Sequence, residues 1–402
     1  MILPEYGSAS LPDLLPSIGA ALGVGAQRTD GREPYGRHAN GQAAAAGIDL
    51  PAAPRYVLLL IDGLGLDLLA DHAEDAPYLS SLLAGEQSRA LTVGVPTTTA
   101  TSLTSLGTGL PPGRHGVVGY TSRIPGSNRL LNALRWDSRV DPREWQPHRT
   151  AFDRLSREGV ATHVVSKRAF EKSGLTVAGQ RGASYVGADT AGERIAETVR
   201  VLGERSAGSP SMVYVYDSDL DSTGHRDGCA SEAWRFELAT VDAFAARLRS
   251  QIPDDAVLVV TADHGMVDVA PDDRVDVDTE VDLLDDVGVF AGEGRLRHLY
   301  CRAGAVDEVA ARWRARLSSD AWVVTREQAV ADGWFGPQVD REVTARIGDV
   351  LVACAAPIAI LSSKRFPMEV KLIGLHGSLT HAEMVVPLLV DAGPSAGGSC
   401  GR

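Results

Sequence analysis

The sequence predicts an α/β fold, a doubly wound and mostly parallel sheet with a small inserted α+β cap. Three observations lead there. Apolar runs of five or six residues recur along the chain, as strands buried on both faces require. Helical patterns separate them, the alternation expected of strands joined by crossover helices. The stretch from Val275 to Ile347 breaks this rhythm with shorter elements of its own.

The strand candidates are Tyr56–Ile61 (YVLLLI), Thr162–Ser166 (THVVS), Met212–Tyr216 (MVYVY), Ala256–Thr261 (AVLVVT) and Val350–Cys354 (VLVAC). Helices are expected over Thr150–Glu158, Ala191–Leu202 and Ala230–Ile252, the last with apolar residues at three-to-four spacing. Near the start, Leu11–Leu22 reads as a short docking helix. Gly25 to Pro54 has no apolar period and reads as a loose connection. Within the cap, a strand (Leu296–Cys301), a helix (Ala305–Leu317) and a strand (Trp322–Thr325) follow one another. The expected organisation is residues 1–54 as N-terminal helix and connection, 55–274 and 348–390 as core, 275–347 as cap and 391–402 as flexible tail.

The chain has 402 residues, and its 39 Lys+Arg against 52 Asp+Glu leave a formal charge of −13. That balance argues against a nucleic-acid surface or an anionic membrane as partner. An anionic substrate fits only where bound cations reverse the field. The uncharged stretch Ala90–Gly113 is too rich in Thr, Ser, Gly and Pro for a membrane helix. Cys229, Cys301, Cys354 and Cys400 are scattered without framework spacing, so reduced thiols and a cytoplasmic location are expected. No signal peptide is expected either. Oligomeric state is left open.

Three strand candidates run into acids. YVLLLI leads to Asp62-Gly63, MVYVY to Asp217-Ser-Asp219-Leu-Asp221, and AVLVVT to Ala262-Asp263-His264. Ligands of open α/β sheets bind at the carboxyl ends of strands. Acids converging there repel one another unless cations intervene. Asp221-Ser-Thr-Gly-His225 and Asp263-His264 mix carboxylate with imidazole, a combination that Zn²⁺ and Mn²⁺ accept. A late His376-Gly377 can complete a three-ligand set with Asp221 and His225. His381 is read as solvent-facing and His115 as structural. Val95-Pro-Thr-Thr-Thr-Ala-Thr-Ser reads both as the start of a helix and as a threonine hydroxyl at a helix N-terminus.

The ordered set Asp62-Gly63, Pro96-Thr97-Thr98-Thr99, Thr108-Gly109-Leu110, Pro112, His115-Gly116, Asp221…His225, Asp263-His264-Gly265-Met266 and His376-Gly377 resembles the alkaline phosphatase superfamily. Its nucleotide pyrophosphatase/phosphodiesterase branch is the most similar. The resemblance spans Arg55 to about Leu389 without the cap. It implies a threonine nucleophile, which spacing to Thr108 and His115 places at Thr99, with Thr97 and Thr98 dispensable. It also implies two divalent ions, zinc first and Mn²⁺ second. Asp62, Thr99, Asp263 and His264 would hold one; Asp221, His225 and His376 would hold the other.

This chain departs from the pattern at two places. Ser102 replaces an asparagine and keeps one hydroxyl for a phosphoryl oxygen, and Ala100 replaces a large aromatic. Lys167 and Arg168 have two readings, phosphate contacts or solvated charges at a strand end. Asp219 likewise orients a ligand histidine or is an ordinary solvated acid. The expected function is a two-metal phosphodiesterase or nucleotide pyrophosphatase acting on a small phosphate ester or nucleotide through a covalent threonine intermediate. The alternatives are a phosphomonoesterase, a C–P hydrolase resembling phosphonoacetate hydrolase, and an inactive metal-binding protein of the same fold. The cap is expected to shape substrate choice without supplying ligands.

Overall fold

A computed structural model describes residues 1–24, 47–204, 208–280 and 282–393. Its main strands are β1 (Arg55–Ile61), β2 (Arg89–Thr92), β3 (Ala161–Ser166), β4 (Ser184–Gly187), β5 (Ser211–Asp217) and β6 (Ala256–Thr261). After them come β7 (Val287–Glu293), β8 (Leu296–Cys301), β9 (Ala321–Thr325), β10 (Val350–Cys354) and β11 (Val385–Asp391). The helices used below are α1 (Leu14–Ala21), α2 (Thr99–Thr108), α3 (Ala151–Arg157), α4 (Ala191–Gly203), α5 (Asp219–Asp227), α6 (Glu232–Gln251) and α7 (Val306–Leu317).

The central sheet has seven strands in the order β2-β11-β6-β1-β5-β3-β4. β1 pairs in parallel with β5 and β6, and β3 in parallel with β5 and β4. β11 runs antiparallel to both of its neighbours. Every residue of β1, β5 and β6 is buried, so their unbroken apolar runs lie in a sheet covered on both faces. Each fully buried leucine there stabilises the fold by about 1.5–3 kcal/mol relative to exposure. Register places Ile61 opposite Asp217 and Leu60 opposite Thr261. Asp62, Asp217 and Asp263 therefore leave the sheet at one end.

Helices form over α3, α4 and α6 where the apolar spacing predicts them, and α1 buries Leu14, Leu15 and Ile18 against the main core. Most of the expected N-terminal connection and most of the expected tail lie outside the described residues. No helix among the described residues is long and apolar enough to cross a membrane.

The placement of Val350–Cys354 in the parallel core is corrected. As β10 it lies inside a separate antiparallel sheet, ordered β7-β8-β10-β9. Val350, Val352 and Cys354 face a second core built on α7, while Leu351 and Ala353 face the main core. A strand buried on both faces by two different cores has the same sequence signature as a central parallel strand. β2, β4, β7 and β11 have no counterpart among the expected strands. β11 carries Pro387, which interrupts its strand pattern.

Candidate active site

Three turns and two helices deliver the candidate residues. Asp62 follows β1 directly, and Asp263-His264 follows β6 after one alanine. Asp221 and His225 lie four apart on α5, so they share one helix face. His376 returns because Gly374–Leu375 pairs antiparallel with Val267–Asp268, which lays the late loop beside the Asp263-His264 turn. α2 begins at Thr99, with extended Thr98 preceding it and Gly109 at φ 66° ending it.

The side chains meet in a largely buried cluster, with Asp221 and His225 partly exposed. His264 Nε2 lies 3.2 Å from Asp62 and 3.7 Å from Asp263. Thr99 Oγ1 lies 3.2 Å from His264 Nε2 and 3.5 Å from Asp62 Oδ1. On the other side, His225 Nε2 is 3.4 Å from Asp221 Oδ1, and His376 Nε2 is 3.3 Å from His225 Nε2 and 3.9 Å from Asp221. Two groups have ligand atoms close enough to share an ion: Asp62, Asp263 and His264, and Asp221, His264 and His376.

These residues fit divalent cations on three counts. First, each histidine turns Nδ1 to a backbone carbonyl: His225 to Gly374 at 2.7 Å, His264 to Gly265 at 3.0 Å and His376 to Thr97 at 2.7 Å. That arrangement puts the proton on Nδ1 and leaves the Nε2 lone pair for a metal. Second, Asp221 Oδ1 and Asp263 Oδ2 are buried without a hydrogen-bond partner among the described residues. Third, the cluster is short of positive charge. Burial pushes Asp221 up to about 6, and burial with the Asp62 charge holds Asp263 well above the carboxylate range. Burial disfavours a charged His264, but Asp263, Asp62 and Asp221 outweigh it and raise that ring to about 10. Cations in the cluster would relieve this imbalance.

The model of one family, type I phosphodiesterase / nucleotide pyrophosphatase, matches residues 56–379. The chain belongs to that family. It is thus a metal-dependent hydrolase of phosphoric ester bonds within the alkaline phosphatase superfamily. Among solved structures, murine ectonucleotide pyrophosphatase/phosphodiesterase 5, an inactive form in complex with AMP, is similar at 16% identity and TM-score 0.65, over 83% of this chain and 87% of that one. The human protein of the same name is similar at 18% identity and TM-score 0.65, over 85% and 88%. Phosphonoacetate hydrolase from Sinorhizobium meliloti, in complex with phosphonoformate, is similar at 20% identity and TM-score 0.63, over 85% and 90%. At these identities the likeness is one of fold. No curated protein matches.

In this phosphodiesterase-family chain, Asp62, Thr99 and Asp221 line a cavity of about 230 Å³ whose walls include Leu103, Leu134, Phe170, Leu175, Tyr185 and Tyr216. The candidate substrate contacts do not line it. Ser102 is wholly buried within α2, its hydroxyl without a hydrogen-bond partner among the described residues. Lys167 is held by Asp219 at 2.6 Å and Ser218 at 2.9 Å, and Arg168 by Asp189 at 2.6 Å and Glu193 at 3.1 Å. Asp219 therefore partners Lys167, not a histidine, while Asp217 pairs with buried Arg194. His381 is half-exposed on Asp67, and His115 is buried with Nε2 on Ser105.

Two residues that sequence reasoning missed support the cluster. The Tyr216 hydroxyl donates to Asp62 Oδ2 from the neighbouring strand. Thr97 donates to the Ser378 carbonyl at 2.9 Å and accepts from the Gly377 N–H at 3.0 Å, tying down the His376 loop. The reading of Thr97 as dispensable takes no account of these two bonds, which hold the loop carrying a candidate ligand.

Proposed function

We propose that the protein is a two-metal phosphodiesterase or nucleotide pyrophosphatase with Thr99 as nucleophile. One observation carries the reading: Thr99 and the ligands Asp62 and Asp221 form part of the lining of a cavity with mainly apolar and aromatic walls. Asp62, Thr99, Asp263 and His264 would hold one ion, and Asp221, His225 and His376 the other, with zinc preferred over Mn²⁺. When bound, such ions act as Lewis acids on the attacking and leaving oxygens of an in-line displacement.

The chain's own residues supply the rest. Thr99 sits at the first position of α2, where backbone N–H groups and the helix dipole favour an anion. Its Oγ1–P bond forms as the ester P–O bond breaks, and the alcohol or nucleotide leaves with a proton. Water then cleaves the phosphothreonine ester, returning the Thr99 hydroxyl and releasing the phosphate product. The walls from Leu103 to Tyr216 seat the organic group of a second ester. No Lys or Arg lines the cavity among the described residues, which favours a monoanionic diester over a dianionic monoester or phosphonate.

The test is turnover of a nitrophenyl nucleotide diester, nitrophenyl phosphate and phosphonoacetate, with Zn²⁺ and Mn²⁺ supplied separately. The diester should be fastest by about tenfold or more in kcat/KM. A monoester turned over as well as the diester would overturn the diester preference. Cleavage of phosphonoacetate as the fastest reaction would move the assignment to C–P hydrolysis.

A further inference from the structure

The sheet that follows β6 reaches the metal cluster from behind. β7 and β8 form a hairpin whose turn, Glu293-Gly294-Arg295, carries two buried ionisable side chains, with Glu293 6% and Arg295 1% exposed. Glu293 Oε2 lies 3.8 Å from His376 Nδ1, the opposite side of the ring from the nitrogen that faces His225 and Asp221. Glu293 Oε1 has no hydrogen-bond partner among the described residues. The approach is close enough to require glycine at position 377: at φ +134° its Cβ would stand 2.8 Å from Glu293 Cγ and 3.4 Å from Arg295 Cβ.

Arg295 grips the same loop by a second route. Its Nε and Nη2 donate to both oxygens of Glu383, at 3.1 and 2.7 Å, and its Nη1 donates to the carbonyls of Ala356 and Ile358 at 2.7 Å each. Glu383 accepts the Ser378 N–H at 2.9 Å through its side chain and the Gly265 N–H at 3.0 Å through its carbonyl. One guanidinium thus braces the loops that carry both His376 and His264.

We propose that the Glu293–Arg295 turn is a positioning element of the second metal site. Glu293 opposes the positive charge that metal binding puts on His376 and raises the basicity of that ring, while Arg295, through Glu383, fixes the loop that aims it. The His376 Nδ1–H itself goes to the Thr97 carbonyl at 2.7 Å, so Glu293 acts on the ring by its charge across 3.8 Å and not by a hydrogen bond. A buried carboxylate with an unpartnered oxygen is costly to keep, and a cation one ring away offsets that cost. Neither residue lines the reaction cavity, so both act through ligands. On this proposal, exchanging the inserted segment, which contains both residues, weakens the second ion although the segment supplies no ligand.

The inference rests on the two-metal reading, and the experiment separates them. The full chain is stripped with a chelator and titrated with Zn²⁺ alone against a chromophoric competitor, giving a constant for each ion. Wild type should bind two ions, and His376→Ala identifies the constant of the second site. Glu293→Gln should weaken that constant by about 10–100-fold and leave the other unchanged. Arg295→Lys should act in the same direction and reads the same constant if Glu293→Gln does not fold. Trp313→Phe, which loosens the second core where Trp313 bonds the Leu283 carbonyl, should leave both constants alone. Wild-type constants in both Glu293→Gln and Arg295→Lys, or equal weakening in Trp313→Phe, would overturn the proposal. Fewer than two ions in wild type would instead overturn the two-metal reading.

Discussion

The Thr99 hydroxyl lies 3.2 Å from Nε2 of His264, although 165 residues separate them along the chain. The start of α2 brings one and the turn after β6 brings the other, and Asp62 from β1 stands within 3.5 Å of both. Three separate segments thus place a hydroxyl, an imidazole and a carboxylate around one point. The first two predictions follow from that meeting.

Thr99→Ala should lower kcat by several orders of magnitude, the scale of a lost covalent nucleophile. The fold should remain, since loss of a helix-start hydroxyl costs about 1 kcal/mol. Steady-state kinetics on metal-loaded enzyme, with thermal unfolding alongside, checks both halves. A variant that turned over nearly as fast as wild type would point to attack by water.

Tyr216→Phe removes only the hydroxyl that donates to Asp62 and leaves the ring in the cavity wall. Affinity for the ion beside Asp62 should fall by about 10–100-fold, as is usual when a ligand loses its supporting hydrogen bond. Zinc competition titration measures it. An unchanged constant would make the hydroxyl incidental.

Thr97→Val keeps the side-chain shape but cuts two hydrogen bonds to residues 377 and 378. The His376 loop should loosen, so metal affinity and kcat should fall together. Thr98→Ala should be milder, because among the described residues Thr98 makes no such bond to that loop. Equal activities for the two variants would contradict the role given to Thr97.

In the metal-stripped protein, His115 and His298 each contribute a loss of stability on the acid side, while the raised values of Asp221, Glu293 and His264 act in the opposite direction. Burial drives both His115 and His298 down to about 3 from an ordinary 6.5. Between those values the unfolded chain holds a proton that the folded chain refuses, so their contribution rises with pH and is lost as pH drops from about 6.5 towards 3. Each group contributes a slope of up to about 1.4 kcal/mol per pH unit. Chemical denaturation at pH 5 and 7 should show a smaller difference, pH 7 minus pH 5, for His298→Gln than for wild type. The same difference in both would remove His298 as a cause.

Much of this was legible from the sequence because it is local. An apolar run ending in an acid announces a strand and its ligand end, and Asp221 and His225 at four-residue spacing announce a shared helix face. What stayed hidden depends on contacts across the fold. Tyr216 matters through its register with Leu60, which sets its hydroxyl beside Asp62. Lys167 and Arg168 were ambiguous because their fate was decided by Asp219 and Asp189, acids on other segments. Glu293 belongs to no motif and reaches His376 only through the turn of a hairpin. Val350–Cys354 misled because burial, not strand direction, writes the apolar pattern.

The central claim is that Thr99 becomes covalently attached to the substrate. The measurement is intact and peptide mass of metal-loaded enzyme, acid-quenched during turnover of a nitrophenyl nucleotide diester. Wild type should carry one nucleotidyl group on the peptide containing Thr99, and Thr99→Ala should carry none. Turnover with no adduct on that peptide in wild type, or the same adduct in Thr99→Ala, would contradict the account.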